Sequence, residues 1–556
     1  MLPQTIFVAA RRPVNERSRR LRWGDRWALR SGWTPNRWTA VGACAAMVCA
    51  GVLSSARAES GEAGRSKLEP LPSGSFDRAA AAHLLSRAGF GGTPKEIDEL
   101  HALGLDAAVD RLLDVQGDDP VGPFNATLTE RLARGEFAKL SPEERMKRQR
   151  EFRIKDQTQL QQLRGWWLRR MVLSPNPLEE KMTLFWHGHF ATSHIDVRNS
   201  YHMYLQNETL RKGALGSFKD LVTAIAKDPA MLEYLDNNTN NRNKPNENFA
   251  RELMELFTLG VGNYTEEDIK EAARALTGWT FRGNAFTFVR FQHDPGEKKV
   301  LGKKGRFTGD DVIDVIFGQP AASRFVVRKL FVYFAHESPS DDVIESLAAT
   351  FRENDFAIRP VLREMFRSAE FYSERSRGTQ IQSPVQSVVR TLRLLELDPG
   401  PSPVYASLAG QMGQDLFAPP SVKGWDGGQA WISTSTMFDR RNYAVVMLGL
   451  VQPDAMRRQF RLNAFGGGGG GGGLGGRFAA PPQWDAQSGA VRLLGDDANA
   501  LTTEQVVDRL LERFLLVPAT PEARRELIEL YEKEEPSKRL TAVIHLIVSS
   551  PQYQLG

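Results

Sequence analysis

The sequence predicts a mainly α fold: a multi-helical globular protein with a small β-hairpin insert and a disordered, glycine-rich loop. Three observations predict it. Apolar residues recur at helical spacing through most of the chain after residue 76. Capping residues and prolines stand where those rhythms begin, and glycines where they end. A run of eight glycines, residues 466–473, interrupts the pattern near the C-terminal helices.

The first 58 residues read as a cleavable secretion leader. Ten arginines stand there against Glu16 and Asp25, residues 40–53 are uncharged, and Ala56-Arg57-Ala58 is the small-x-small site that signal peptidase requires. The 14-residue apolar run is shorter than the roughly 20 residues of a spanning helix. The expectation is export to the periplasm or the extracellular space, with no stable membrane span after cleavage; a retained anchor is the competing reading. Ser18-Arg19-Arg20-Leu21 resembles a twin-arginine signal but lies far from the apolar run, so the export route stays open.

Cleavage changes the available chemistry. The 556-residue chain carries a formal +5 and the leader +8, so the remainder carries −3. The basic balance of the whole chain therefore points to no nucleic-acid partner. Cys44 and Cys49 both leave with the leader, which excludes disulfides, thiolate nucleophiles, cysteine-ligated metals and haem c. No P-loop, dinucleotide fingerprint or Gly-x-Ser-x-Gly elbow occurs, so no nucleotide cofactor is expected. Stability must come from core burial, for which the chain is long enough.

Residues 59–73, rich in Ser, Gly, Glu and Pro, read as a flexible linker. A main helical domain is expected over 74–461. Ala79, Ala82, Leu85 and Ala88 set the rhythm of its first helix, which Gly89-Phe90-Gly91-Gly92 stops. Thr93 caps the next, with Pro94 at its first position. Further helices are expected within 124–173 and at 204–227, 246–259, 265–277, 309–317, 322–336, 341–354 and 358–372. One β element is expected at 284–302, with Phe286, Phe288 and Phe291 on a first strand, a turn at 292–296 and Lys299-Val300-Leu301 returning as a second. Residues 462–502 form the disordered insert, because polyglycine loses the most backbone entropy on ordering and has no side chain to bury. Helices at 503–556 are expected to pack on the main domain. They echo 330–372, with Leu330-Phe331 and Phe371-Tyr372 matching Phe514-Leu515 and Tyr553. Two copies suit internal pairing, since a solenoid needs at least about three.

Three stretches are dense in unusual residues. The first is Leu178-Glu179-Glu180-Lys181-Met182-Thr183-Leu184-Phe185-Trp186-His187-Gly188-His189-Phe190. The second begins Pro245-Asn246-Glu247-Asn248-Phe249-Ala250-Arg251-Glu252-Leu253-Met254-Glu255 and runs on to Gly278-Trp279. The third is Pro419-Pro420-Ser421-Val422-Lys423-Gly424-Trp425-Asp426-Gly427-Gly428.

His187 and His189, with His293 and Asp294, are the candidate metal ligands. A His-x-His pair on extended backbone presents both rings to one side, and a thiol-free set of this kind suits a divalent Zn, Mn or Fe ion. The competing reading has the histidines capping helix ends and bonding buried carbonyls. In the second stretch Phe249, Leu253, Leu256 and Phe257 form an apolar stripe, Asn246 or Asn248 caps it and Gly260 ends it. Arg251, Glu252 and Glu255 are left over, as catalytic acid/base candidates or as an internal ion-pair network. Trp425, Lys423 and Asp426 are candidates for contact with a partner or a sugar, against the alternative of a loop pinned by a buried tryptophan.

Taken in order, together with His293-Asp294, these stretches resemble the bacterial family catalogued as domain of unknown function 1800, from about Phe76 to the end of the sequence. Ser421 stands where the family usually has Asn, and the glycine insert departs from its pattern. The resemblance implies an exported, mostly helical protein, often encoded beside a second exported protein of unknown-function family 1501 that is similar to sulfatases and alkaline phosphatases. It implies no catalytic residues. Two functions stay open: a scaffold or accessory partner of that secreted sulfatase- or phosphatase-like protein, and an exported metal-dependent enzyme built on a His/carboxylate site.

Overall fold

Helices begin where the sequence supplies an oxygen for their free amides. Thr93 Oγ1 accepts from the Glu96 amide (3.3 Å) while the Glu96 carboxylate accepts from the Thr93 amide (2.7 Å), with Pro94 in first position. Ser141, Thr265, Ser383 and Thr502 close the same reciprocal cap. The computed structural model describes residues 68–127, 139–450, 482 and 484–556. Among these it places 22 α-helices and two small hairpins, so the fold is mainly α. The expected leader and the 466–473 glycine run lie outside the described residues. No helix among the described residues is long and apolar enough to cross a membrane.

The chain opens with α1 (Arg78–Ala88), α2 (Pro94–Leu103) and α3 (Leu105–Leu113), followed by the long α4 (Pro142–Leu173) and by α5 (Pro177–His189). Next come α6 (His194–Val197), α7 (Ser200–Lys212), α8 (Phe218–Ala226), α9 (Pro229–Tyr234), α10 (Glu247–Glu252) and α11 (Glu266–Ala275). Strands β1 (Trp279–Arg282), β2 (Ala285–Phe288), β3 (Lys298–Val300) and β4 (Lys303–Gly305) precede α12 (Gly309–Phe317), α13 (Pro320–Phe334), α14 (Asp341–Glu353) and α15 (Ile358–Arg367). The rest is α16 (Pro384–Leu394), α17 (Val404–Gln411), α18 (Thr434–Met447), α19 (Ala486–Leu494), α20 (Thr503–Phe514), α21 (Pro521–Lys533) and α22 (Arg539–Val548).

Their apolar faces make two cores within one unit, Arg65–Gly556. The first gathers α1–α3, α8 and α10–α15; the second gathers α4 and α16–α22. Helices α5, α7 and α9 give side chains to both and form the seam. The echo between 330–372 and the C-terminal helices is a structural one. Helices α13–α15 and α20–α22 are triplets of similar length, each followed by a buried aromatic, Tyr372 in one and Tyr553 in the other. A helix of the corresponding core holds each end. His83 on α1 bonds the Phe371 carbonyl (3.0 Å), and Thr391 on α16 bonds the Tyr553 hydroxyl (2.6 Å).

Four expectations need correction. The strands expected to pair across 292–296 do not pair with each other. Phe286 and Phe288 lie on β2, which pairs back onto β1 with Trp279 opposite Phe288, while β3 pairs forward onto β4. The reason is turn chemistry: Gly283 (φ +59°) opens one two-residue turn, and Leu301-Gly302 (φ +47° and +80°) forms the other. The helix expected over 246–259 is α10 followed by a π-helical segment, Leu253–Thr258. The expected linker is pinned at its end, where Leu71 donates to Arg367 O (2.8 Å) and Glu69 O accepts from Ala369 (2.7 Å). The expected disordered insert contains α19, anchored by buried Trp484, whose amide bonds Met447 O (3.0 Å).

Candidate functional site

Helix α5 starts as its sequence dictates, with Pro177 at its head and Glu179 and Glu180 in the first turn. Past Lys181 it has no polar face: Met182, Thr183, Leu184, Phe185, Trp186, His187 and His189 are all buried. A helix buried on every side must find partners for every polar group it carries. Glu180, fully buried, accepts from Trp167 Nε1 (2.9 Å), Arg170 Nε (3.0 Å) and Arg211 Nε (2.6 Å). Burial raises its carboxyl pKa, but Arg211, Arg170 and Trp167 outweigh burial and hold it below the usual range. Lys181, equally buried, donates to Gly89 O (2.9 Å) and lies over the rings of Phe90 and Tyr333. Neither Glu180 nor Lys181 stands out in the sequence by type. The signal that finds them is the missing polar face of the helix around them.

The last turn of α5 carries the two histidines, and they diverge. His187 points into the second core, against the rings of Trp167, Phe417 and Trp425, and its Nε2 accepts the Phe417 amide (3.0 Å). The ring is therefore the neutral Nδ1–H tautomer, and burial, then Arg164, push its pKa down to about 3. His189 points into the first core among Trp186, Phe190 and Phe257. Its Nε2 bonds Phe257 O (2.9 Å), and its Nδ1 accepts from Lys329 Nζ (3.2 Å), so it is the opposite tautomer. Burial and Lys329 push its pKa well below the usual value.

These bonds join the three sequence stretches. The π-helical segment after α10 ends at Gly260 (φ +80°), leaving its last carbonyls without helical partners. His189 takes the Phe257 carbonyl and Lys329 takes Leu256 O (3.2 Å), a cation at a helix C-terminus. Burial, then Lys423, lower the Lys329 amine to about 8. The third stretch lies over the end of α5: a Cβ on Gly424 would overlap the Gly188 carbonyl, and half-buried Trp425 covers Gly188 and the His187 ring. Lys423 and Asp426 form an exposed pair beside it (2.8 Å).

The remaining candidates are engaged elsewhere. His293 Nδ1 bonds Thr277 O (3.1 Å), and Asp294 is paired with Arg274 (2.7 Å), which holds its carboxyl below the usual range. Arg251 pairs with Glu266 (2.7 Å) and Glu247 (3.4 Å), and Glu255 accepts the Tyr264 hydroxyl. Glu252 is half-buried, its pKa raised by burial and then by Glu255. His194, also in the first stretch's neighbourhood, pairs with buried Asp156 (2.7 Å). The expected metal set is thus not assembled. His187 and His189 spend their lone pairs on an amide and an ammonium, Asp294 serves an arginine, and among the described residues no three His, Asp or Glu groups are placed to share an ion. The His-x-His reading fails because the pair lies on a helix, where alternate residues point apart.

Neither a curated protein nor a solved structure matches this chain. The family described as "Protein of unknown function (DUF1800)" matches residues 83–555, which span α1 to the C-terminal turn and include all three stretches of the site. The chain belongs to that family.

Proposed function

We propose that the protein is an exported scaffold or accessory protein that partners a secreted sulfatase- or phosphatase-like protein, the family-1501 product implied as its neighbour. The observation that carries this reading is the use to which the three stretches are put. Their histidines and buried charges bond main-chain groups and one another, and so lock α5, the π-helical turn and the 419–428 loop into one block. What that block presents outward is the loop, with Lys423 71% and Asp426 69% exposed beside half-buried Trp425. A rigid loop with a tryptophan and two opposite charges suits a protein contact, where anchors are aromatic and rim charges set orientation. The leader supports action outside the cytoplasm.

The test is co-purification of the neighbour's product with the mature protein from the exported fraction of the native host, wild type against Lys423→Glu and Asp426→Lys. Retention by wild type and loss in the charge variants is the expected result. Equal recovery in all three, or no recovery with any, contradicts the reading.

A further inference from the structure

Two turns beside the first hairpin carry exposed rings among unpaired cations. Residues 241–244 form one turn. The Lys244 amide donates to Asn241 O (2.9 Å), the Asn243 amide donates to Asn241 Oδ1 (3.1 Å), and Arg242 stands at the tip. Arg290–Gln292, directly after β2, form the other. The turns lie side by side, because the Arg242 amide donates to Gln292 O (2.7 Å). Gly278 (φ +80°) ties both down: its amide donates to Asn240 O (3.0 Å) and its carbonyl accepts from Val289 (2.8 Å). Buried Asn240 adds side-chain bonds to Ala273 O (3.0 Å) and from the Asn246 amide (2.9 Å).

Segments 241–244 and 279–293 hold four cations, Arg242, Lys244, Arg282 and Arg290, and no Asp or Glu. All four are exposed, and among the described residues none has an ion pair or a side-chain hydrogen bond. The neighbouring arginines differ. Arg251 pairs with Glu247 and Glu266, and Arg274 takes Glu271 together with Asp294, the next acid along the chain. Glu297 is the first acid beyond the patch that is not in an ion pair. Among these free cations Phe291 is 72% exposed, more than any other phenylalanine of the described residues, and Phe288 is 38% exposed. One exposed phenylalanine is ordinary on a protein surface. Two within four residues, on turns fixed by main-chain bonds and flanked by unpaired cations, call for an occupant that is both anionic and apolar.

We infer that this patch docks on an anionic lipid surface. Phe288 and Phe291 enter the boundary between headgroups and acyl chains, and Arg242, Lys244, Arg282 and Arg290 meet lipid phosphates. Arg282 does so from the far end of the β1–β2 hairpin, about 10 Å along from Phe288. Size decides between a membrane and a protein partner. The two rings expose on the order of 200 Å², against the roughly 800 Å² that a stable protein contact takes from each side. A lipid surface needs no matching shape. A small apolar wedge and several cations suffice for reversible binding there, because each cation near the surface adds its own attraction.

Hydrogen exchange of the protein, titrated with vesicles of phosphatidylcholine alone or with one-third phosphatidylglycerol, reads the docking. Exchange locates the contact, whatever the arginine-rich first 58 residues add to binding. In wild type the anionic vesicles should slow exchange at 241–244 and 285–292, less so as salt rises, and the neutral vesicles should not. Phe291→Ser and the double variant Arg242→Glu/Arg290→Glu should each need about tenfold more anionic lipid, or worse, for the same slowing. Both should keep the wild-type Tm, since all three side chains are exposed and unbonded. No slowing at either turn in wild type, or equal slowing in both variants, overturns the inference. So does loss in the charge-reversal variant with Phe291→Ser as wild type, which assigns the patch to a soluble polyanion.

Discussion

His187 and His189 stand two residues apart on one helix, yet one accepts a hydrogen bond from an amide of the second core and the other bonds a carbonyl of the first. The seam between the two halves of the molecule is thus fastened through a pair of neutral imidazoles of opposite tautomer. Truncating either should weaken the joint itself. His187→Ala leaves the Phe417 amide without its acceptor and a void among three rings, and should cost ~2–4 kcal/mol in denaturant unfolding. His187→Gln, which still offers an oxygen, should recover part of that loss. Equal stability of the alanine variant and wild type would contradict the role.

Glu180 bears on the same helix from its other end. Glu180→Gln puts a neutral amide against Arg170 and Arg211, which keep only Asp119 and Glu208 as carboxylate partners, and should cost ~2–3 kcal/mol. The sign in pH follows from its depressed carboxyl: the stabilisation is present above the unfolded-state value and is lost as pH falls through the folded one. The variant should therefore show a flatter acid limb in Tm against pH than wild type.

Asp228 should behave in the opposite sense. It caps α9 from a buried position, accepting from Met231 N (3.0 Å) and Gln206 Nε2 (2.9 Å), and burial pushes its pKa up to about 7. The folded state then holds its proton more tightly than the unfolded chain, so the contribution to stability falls as pH rises from about 4 to about 7. Asp228→Asn keeps the cap without the charge. It should be more stable than wild type at pH 8, by ~1–3 kcal/mol, and should lose that advantage near pH 4. An advantage that does not change with pH would refute the assignment.

Gly424 permits the close approach of the third stretch to α5. Its φ is +86°, and an added Cβ would strike the Gly188 carbonyl. Gly424→Ala should lift the loop off the helix end at a cost of ~2 kcal/mol or more, and should raise hydrogen exchange across 419–431 while leaving α20–α22 protected.

Much of the helical frame is legible in the chain. The 309–317 helix, the Thr93-Pro94 start and the Asn246 cap all follow from local signals, because a cap needs only an oxygen within three residues of a free amide. The hairpin pairing was harder to read, because Leu301 adopts a positive φ that its residue type does not advertise. The candidate site was legible as a set of stretches but not as a set of bonds. His187 meets an amide 230 positions away and His189 a carbonyl 68 away, and backbone partners leave no trace in residue type.

The central claim is that the paired histidines fasten the fold and do not ligate metal. Histidine-selective ¹⁵N NMR of the protein, with His187→Gln and His189→Gln for assignment, tests it most directly. The chain has nine histidines, few enough to resolve. The account predicts a Nδ1–H tautomer at His187, a Nε2–H tautomer at His189, no titration of either between pH 5 and 8, and no response to an equivalent of Zn²⁺. Loss or shift of both signals with stoichiometric Zn²⁺, or titration of either near the ordinary histidine value, would contradict it.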